Sequence, residues 1–296
     1  MFSGSSVALV TPMRPDGALD HDAWLRLLDL HLQSGTSAVV VGGTTGESAT
    51  LSETELRMLV ESAVGFCAGR MQVIAGAGVS STAATIERSR WLGELGVDAL
   101  LVVAPAYVKP TQEGLYQHYR AVAAAAKVPV VLYNVPGRTG VDVLPQTVAR
   151  LATLERIVAL KEAVPGAARV REILALVPSF TVLSGDDATC REAVLAGAQG
   201  VISVTANVAP AQMVAMVAAA LAGDAVRASE LDAPLTRLHV DLFVEGNPIP
   251  VKWMLERMGM IGPGIRLPMT SLAERFHAQL AATMQEAGLR PGVLRS

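Results

Sequence analysis

Lys161 closes an apolar run, Ile157-Val158-Ala159-Leu160, and is followed at once by Glu162. A lysine held at the end of a buried strand is disfavoured as an ammonium, and a neutral amine attacks a ketone to form an imine. The position also suits a lysine that snorkels to water or pairs with Glu162. Tyr133 ends another apolar run. Its phenol both donates and accepts a proton, as the formation and collapse of a carbinolamine require, although a packed tyrosine with a satisfied hydroxyl fits the same place. Thr44 and Tyr107 are candidates to extend a hydroxyl relay, because Thr and Tyr hydroxyls both give and take protons.

Two features suit anions. Gly42-Gly43-Thr44-Thr45-Gly46-Glu47 is a glycine-rich turn that permits close backbone approach and unusual φ; with Thr45 it offers hydroxyl and N–H groups to a carboxylate. It has no Walker lysine, and Gly76-Ala77-Gly78 lacks the third glycine of a dinucleotide fingerprint. Arg138, in a Pro-Gly turn, suits bidentate capture of a second carboxylate or, alternatively, bonds to loop carbonyls at the surface. Together these residues fit carbon–carbon bond chemistry on a keto acid without identifying the substrates.

They are scattered along the chain, so the fold must gather them. Near-continuous apolar runs predict strands buried on both faces at Ser6–Val10, Ala38–Val41, Gln72–Ala75, Ala99–Val103, Val128–Leu132, Ile157–Leu160, Thr181–Leu183 and Gly200–Ser203. Helical patterns lie between them, at Asp22–Gln33, Glu53–Ala68, Ala83–Leu95, Glu113–Ala126 and Ala188–Ala196 among others. Ser52 and Glu55 form a capping-box start, and Gly35, Gly96 and Gly197 stand at helix stops. Eight strands, each followed by a helix, predict an α/β protein, a (β/α)8 TIM barrel over residues 1–223 with a C-terminal helical extension over 224–296. A doubly wound open sheet is the alternative. Further helices are expected over 211–222, closing the barrel, and over 224–243, 248–258 and 270–287. In such a barrel the chemistry sits at the C-terminal ends of the strands, where Thr44, Tyr107, Tyr133, Arg138, Lys161 and the Ser184-Gly185-Asp186-Asp187 turn all fall.

Composition limits the classes of partner. With 51% hydrophobic and 17% charged residues the chain builds a large core and is not disordered. A net charge of −3 without a long basic run argues against nucleic acid or an acidic membrane as partner. Cys67 and Cys190 read as buried reduced thiols, and the five histidines fall in no metal-ligand spacing. The segment Met1–Pro12 has no basic n-region, and no uninterrupted apolar stretch reaches the ~20 residues of a membrane span, so a soluble, cytoplasmic protein is expected.

Gly43-Thr44-Thr45-Gly46-Glu47-Ser48, Tyr133-Asn134-Val135-Pro136-Gly137-Arg138-Thr139-Gly140, Lys161-Glu162-Ala163 and Ser184-Gly185-Asp186-Asp187 closely resemble the motifs of the 4-hydroxy-tetrahydrodipicolinate (dihydrodipicolinate) synthase family. Met1-Phe2 through Pro12, Gly200–Val208 and Asn247-Pro248-Ile249-Pro250-Val251-Lys252 resemble it too, so that the likeness spans nearly the whole chain. The resemblance implies condensation of pyruvate with L-aspartate 4-semialdehyde on the diaminopimelate route to lysine. It implies Lys161 as Schiff-base lysine, Tyr133 as proton donor and acceptor, and Thr44 linking Tyr133 to a Tyr107 contributed by the neighbouring subunit. Thr45, Gly185 and the backbone near Ile202 would contact substrate, and Arg138 would hold the semialdehyde carboxylate. A homotetramer built as a dimer of dimers is implied, with no metal or organic cofactor. A sister lyase, of the N-acetylneuraminate lyase or 2-keto-3-deoxy sugar acid aldolase type, shares the lysine and tyrosine; the Pro-Gly-Arg-Thr-Gly setting of Arg138 favours a small acidic aldehyde instead. A non-catalytic keto-acid sensor would be expected to lose Lys161, Tyr133 or Thr44, and none is lost.

One part departs from the family pattern. Many members bind lysine as a feedback inhibitor, and Ser48 and Ala49 match that site. The other ligand positions carry Glu53, Leu56, Ser80, Ala84 and Ala106, lacking the acidic partner at Ala84 and the aromatic at Ala106. Weak or absent inhibition by L-lysine is expected.

Overall fold

A computed structural model of the chain describes residues 2–292. Met1 and residues 293–296, the end of the expected C-terminal extension, lie outside the described residues. The strands are β1 (Gly4–Ala8), β2 (Ala38–Val41), β3 (Gln72–Gly76), β4 (Ala99–Val103), β5 (Val130–Asn134), β6 (Ile157–Glu162), β7 (Thr181–Ser184) and β8 (Gly200–Ser203). They pair in parallel and in chain order, and β8 returns to β1 through Gly4 opposite Gly200, so the sheet closes into a barrel. The open-sheet alternative is excluded.

Around the barrel run α1 (His21–Gln33), α2 (Glu53–Cys67), α3 (Thr82–Glu94), α4 (Gln112–Ala125), α5 (Pro136–Thr139), α6 (Pro145–Leu151), α7 (Ala167–Leu176), α8 (Cys190–Leu195) and α9 (Pro210–Leu221). The C-terminal part adds α10 (Ala225–Asp232), α11 (Thr236–Asp241), α12 (Ile249–Arg257) and α13 (His277–Glu286). The Ser52–Glu55 capping box is present at α2, and Gly35, Gly96 and Gly197 take positive φ where helices end.

Two expected helices are corrected. The span 224–243 is broken after Asp232 by a 3-10 turn at Ala233–Leu235, where Pro234 has no N–H for a helical ladder. In 270–287 the helix begins only at His277; Ala273 is extended, and its N–H is taken by the Glu245 carboxylate at 3.3 Å.

Period-two alternation sorts the strand residues into two apolar layers. Val7, Val39, Val41, Val73, Leu100, Val102, Leu132, Leu160, Val182 and Val201 face the helices. Ala8, Val40, Ile74, Leu101, Val131, Ala159, Leu183 and Ile202 fill the barrel, with Phe2 packed beside them. The alternation also orients the polar strand ends: two residues beyond inward Ala159 comes Lys161, and the intervening Leu160 and the following Glu162 point the other way.

The C-terminal part is fastened to the barrel by polar contacts as well as by packing. Thr205 Oγ1, fully buried, lies 2.9 Å from His239 Nδ1, and His239 Nε2 lies 3.1 Å from Asp232. This hydroxyl–imidazole–carboxylate chain has the order of a nucleophile triad, but its hydroxyl is fully buried; it joins the turn after β8 to α10 and α11.

Candidate active site

A cavity of about 140 Å³ opens at the C-terminal mouth of the barrel. Ala8, Val40 and Leu101 belong to its floor, and Tyr133, Lys161 and Gly185 stand above them on three consecutive strands or strand ends. Lys161 is 5% exposed and Tyr133 is 7% exposed. The two are register partners across β5 and β6, and the Lys161 Nζ lies 4.4 Å from the centroid of the Tyr133 ring. The Tyr133 ring therefore presents its face to the lysine side chain, in addition to any proton exchange through the phenol.

Lys161 does not pair with Glu162. Glu162 faces outward with Asn134, whose amide donates to both its oxygens at 3.0 and 3.1 Å and to Asp142 at 2.7 Å; the Val164 N–H donates to Glu162 at 2.9 Å. Burial pushes the Glu162 carboxyl up to about 7, against the pull of the Val164 N–H, the Asn134 amide and the Arg169 charge. Among the described residues the Lys161 amine has neither an ion pair nor a hydrogen bond. That leaves it directed into the cavity.

Gly185 is explained by space. A Cβ built on it would stand 2.9 Å from Lys161 Cε, 3.1 Å from Lys161 Cγ and 3.0 Å from Ala163 Cβ. Its N–H donates to the Glu162 carbonyl at 2.7 Å, which fixes it beside the lysine stem.

The glycine-rich turn after β2 brings Thr44 and Thr45 to the cavity wall. Gly42 has φ +64°, and a Cβ there would stand 2.4 Å from Leu56 Cδ1, so two constraints favour glycine at the bend. Thr45 Oγ1 accepts from Asn247 Nδ2 at 2.9 Å. Arg138, on α5 at the rim, is largely exposed and donates from Nη2 to the Asn247 carbonyl at 3.3 Å. It therefore has the loop-carbonyl bond and also a place in the cavity lining.

Two expected site residues lie elsewhere in the single chain. Tyr107 is 93% exposed at φ +72° and does not line the cavity of its own chain. Ile202 is buried in the barrel layer, while Val204, two residues further on, lines the cavity. Sequence reasoning missed the contribution of the C-terminal part, Phe243 and Asn247, which complete the lining. Asn247 sits in a quoted motif, but nothing in its local sequence says that it folds back across the mouth. Among the described residues no group of three or more His, Cys, Asp or Glu side chains is placed to hold a metal ion, and no helix is long and apolar enough to cross a membrane.

The fold and the cavity define a class: a (β/α)8 barrel with a buried lysine and a tyrosine side by side at its C-terminal mouth. The chain belongs to the dihydrodipicolinate synthetase family, whose model matches residues 1–287. It is 51% identical to the 4-hydroxy-tetrahydrodipicolinate synthase of Nitrosomonas europaea over 98% of this chain and 99% of that protein. With the synthase of Alkalilimnicola ehrlichii it shares 53% identity over 97% of this chain and 99% of that one. Among solved structures, the chloride-inhibited dihydrodipicolinate synthase of Acinetobacter baumannii complexed with pyruvate matches with a TM-score of 0.96 and 46% identity, covering 98% of this chain and all of that chain.

Proposed function

We propose that this enzyme condenses pyruvate with L-aspartate 4-semialdehyde to 4-hydroxy-tetrahydrodipicolinate in lysine biosynthesis, through an imine on Lys161. The observation that carries the mechanism is the buried Lys161 amine, aimed into the mouth cavity without an acidic partner and flanked by Tyr133. The family membership and identities near 50% to synthases support the reaction.

The neutral Lys161 amine adds to the pyruvate ketone, and the carbinolamine loses water to give the imine. Tyr133, with Thr44 at the same wall, exchanges the protons of addition and dehydration. The imine withdraws electrons, so a methyl proton leaves and an enamine forms. The enamine carbon attacks the aldehyde, whose oxygen takes up a proton. The amine of the bound product then displaces Lys161 by transimination and closes the ring, returning the free lysine. The imine nitrogen is the electron sink, so the cycle is complete without a metal or organic cofactor. The Thr45 hydroxyl holds the pyruvate carboxylate, Gly185 and the backbone near Ile202 contact the substrate beside it, and Arg138 receives the carboxylate of the aldehyde at the rim. The exposed Tyr107 reaches the site of a neighbouring subunit in a homotetramer, a dimer of dimers in the cytoplasm.

The test is turnover of pyruvate with L-aspartate 4-semialdehyde, coupled to the reductase that consumes the product. Borohydride trapping of pyruvate is run beside it on the wild type and on Lys161→Ala. Turnover by the wild type, with loss of most activity and all adduct in the variant, is expected. An adduct that survives in Lys161→Ala overturns the imine assignment. Trapping without turnover moves the enzyme to a sister lyase and removes the role given to Arg138.

A further inference from the structure

The reaction gives no task to two charged residues that are almost completely buried. Glu47 is 4% exposed and Lys252 is 5% exposed, and they meet with Lys252 Nζ 2.5 Å from Glu47 Oε1. A buried ion pair is a costly way to fill space, and apolar side chains of the same volume are often as stabilising or more so. What such a pair supplies is a fixed geometry, so the question is what it fixes.

Glu47 ends the turn that carries Thr44 and Thr45. Its backbone sits at φ +56°, a left-handed conformation disfavoured for a residue with a Cβ, and it persists only where its surroundings hold it. The side-chain oxygens are both engaged: Oε1 by Lys252, and Oε2 by the Arg266 N–H at 3.2 Å. The Lys252 ammonium also donates to the Thr11 carbonyl at 3.1 Å, and Thr11 Oγ1 donates to the Gly46 carbonyl at 2.7 Å. The peptide between Gly46 and Glu47 is thus gripped from two sides, by the segment after β1 and by α12. Asn247, just before α12, reaches Thr45 itself. Burial, with the Arg266 charge, lowers the Lys252 pKa, and the Glu47 carboxylate opposes that shift.

We propose that Glu47 and Lys252 are positioning residues for the condensation: their buried ion pair holds the Gly43–Glu47 turn so that Thr44 and Thr45 face Lys161. The proposal rests on the imine mechanism above. It makes the ion pair act first on the pyruvate half of the site, where the turn contributes; Arg138 meets the network only through the Asn247 carbonyl.

Glu47→Gln and Lys252→Met remove one charge each at similar volume. The double variant Glu47→Gln/Lys252→Met removes both, so no unpaired charge stays buried, and it serves where a single variant fails to fold. Folding is read by circular dichroism. The site is read by steady-state kinetics and by the pyruvate concentration needed for half-maximal borohydride trapping. The expected result is a rise on the order of tenfold in both the pyruvate KM and the half-trapping concentration, because small misplacement of binding groups has large kinetic effects. The aldehyde KM stays within about twofold, since Arg138 is reached only through the Asn247 carbonyl at 3.3 Å. A folded double variant with wild-type pyruvate KM and trapping overturns the proposal, and so does a double variant that does not fold, which marks the pair as structural only. No trapping in the wild type overturns the imine mechanism itself and this proposal with it; trapping in the wild type without a pyruvate effect in the variants overturns this proposal alone.

Discussion

Gly185 sets how much room Lys161 has. A methyl group there would press on the lysine stem at two carbons, so Gly185→Ala swings the amine away from the Tyr133 ring without disturbing the apolar layers of the barrel. The variant is expected to fold with near-native thermal stability and to lose on the order of a hundredfold in kcat/KM, with slower borohydride trapping of pyruvate. Wild-type trapping rates in Gly185→Ala would mean that the lysine tolerates the intrusion. At this scale the sequence was informative where residue chemistry is unusual for its place. Lys161 and Tyr133 stood out because polar residues rarely end apolar strands. Gly185 was attributed to substrate contact; its steric reason depends on a distance across two strands that no local pattern carries. Glu47 and Lys252 lay in plain view within quoted motifs, but their pairing spans 205 positions and was invisible.

Strands β2, β4 and β8 fall where continuous apolar runs place them. The errors at β1 and β5 have physical causes. The run Ser6–Val10 stays apolar past the end of the ladder, because Leu9 and Val10 are buried, yet the Val10 N–H is taken by the Asn207 side chain at 3.0 Å. Strand β5 starts two residues later than expected, beyond Pro129, which has no N–H to pair, and it ends in Tyr133 and Asn134, which belong to the site. The short α5 and the 3-10 turns have too few residues to leave a periodic signal. The elements α2 and α3 and the loop after β4 carry the regulatory expectation. Leu56 is 2% exposed and packed beneath the Gly42 bend, and the Ser80 hydroxyl is engaged by the Ala106 carbonyl at 2.9 Å. Leu56 and Ala84 offer no polar side-chain group to an amino acid, and the one hydroxyl proton of Ser80 is already committed. L-lysine at low millimolar concentration is expected to leave the coupled assay unchanged, and strong inhibition in that range would refute this reading of the surface.

At the scale of the molecule the barrel supplies Lys161 and Tyr133, and the C-terminal part supplies the wall that faces them. The exposed Tyr107, held at φ +72° with its N–H on the Thr139 carbonyl at 3.1 Å, is the one proposed catalytic group that points out of its own chain. Sharing of sites between subunits is testable by mixing two inactive variants, Tyr107→Ala and Lys161→Ala, under conditions that let subunits exchange. In a mixed dimer one site regains both an intact lysine and an intact tyrosine, so about a quarter of the wild-type activity is expected from equal amounts with random pairing. No recovery, with exchange demonstrated by sedimentation of tagged subunits, would place Tyr107 outside the reaction.

The seam of the barrel joins Gly4 to Gly200, and the mouth is finished by Phe243 and Asn247. During synthesis the first strand therefore waits for most of the chain to leave the ribosome before it finds its second neighbour, and the turn bearing Thr44 and Thr45 waits longer still. Lys161 is made just past the midpoint of the chain, but its surroundings are complete only after Asn247 has followed. A messenger cut short before Phe243 leaves Lys161 in the chain without the wall that the C-terminal part builds opposite it.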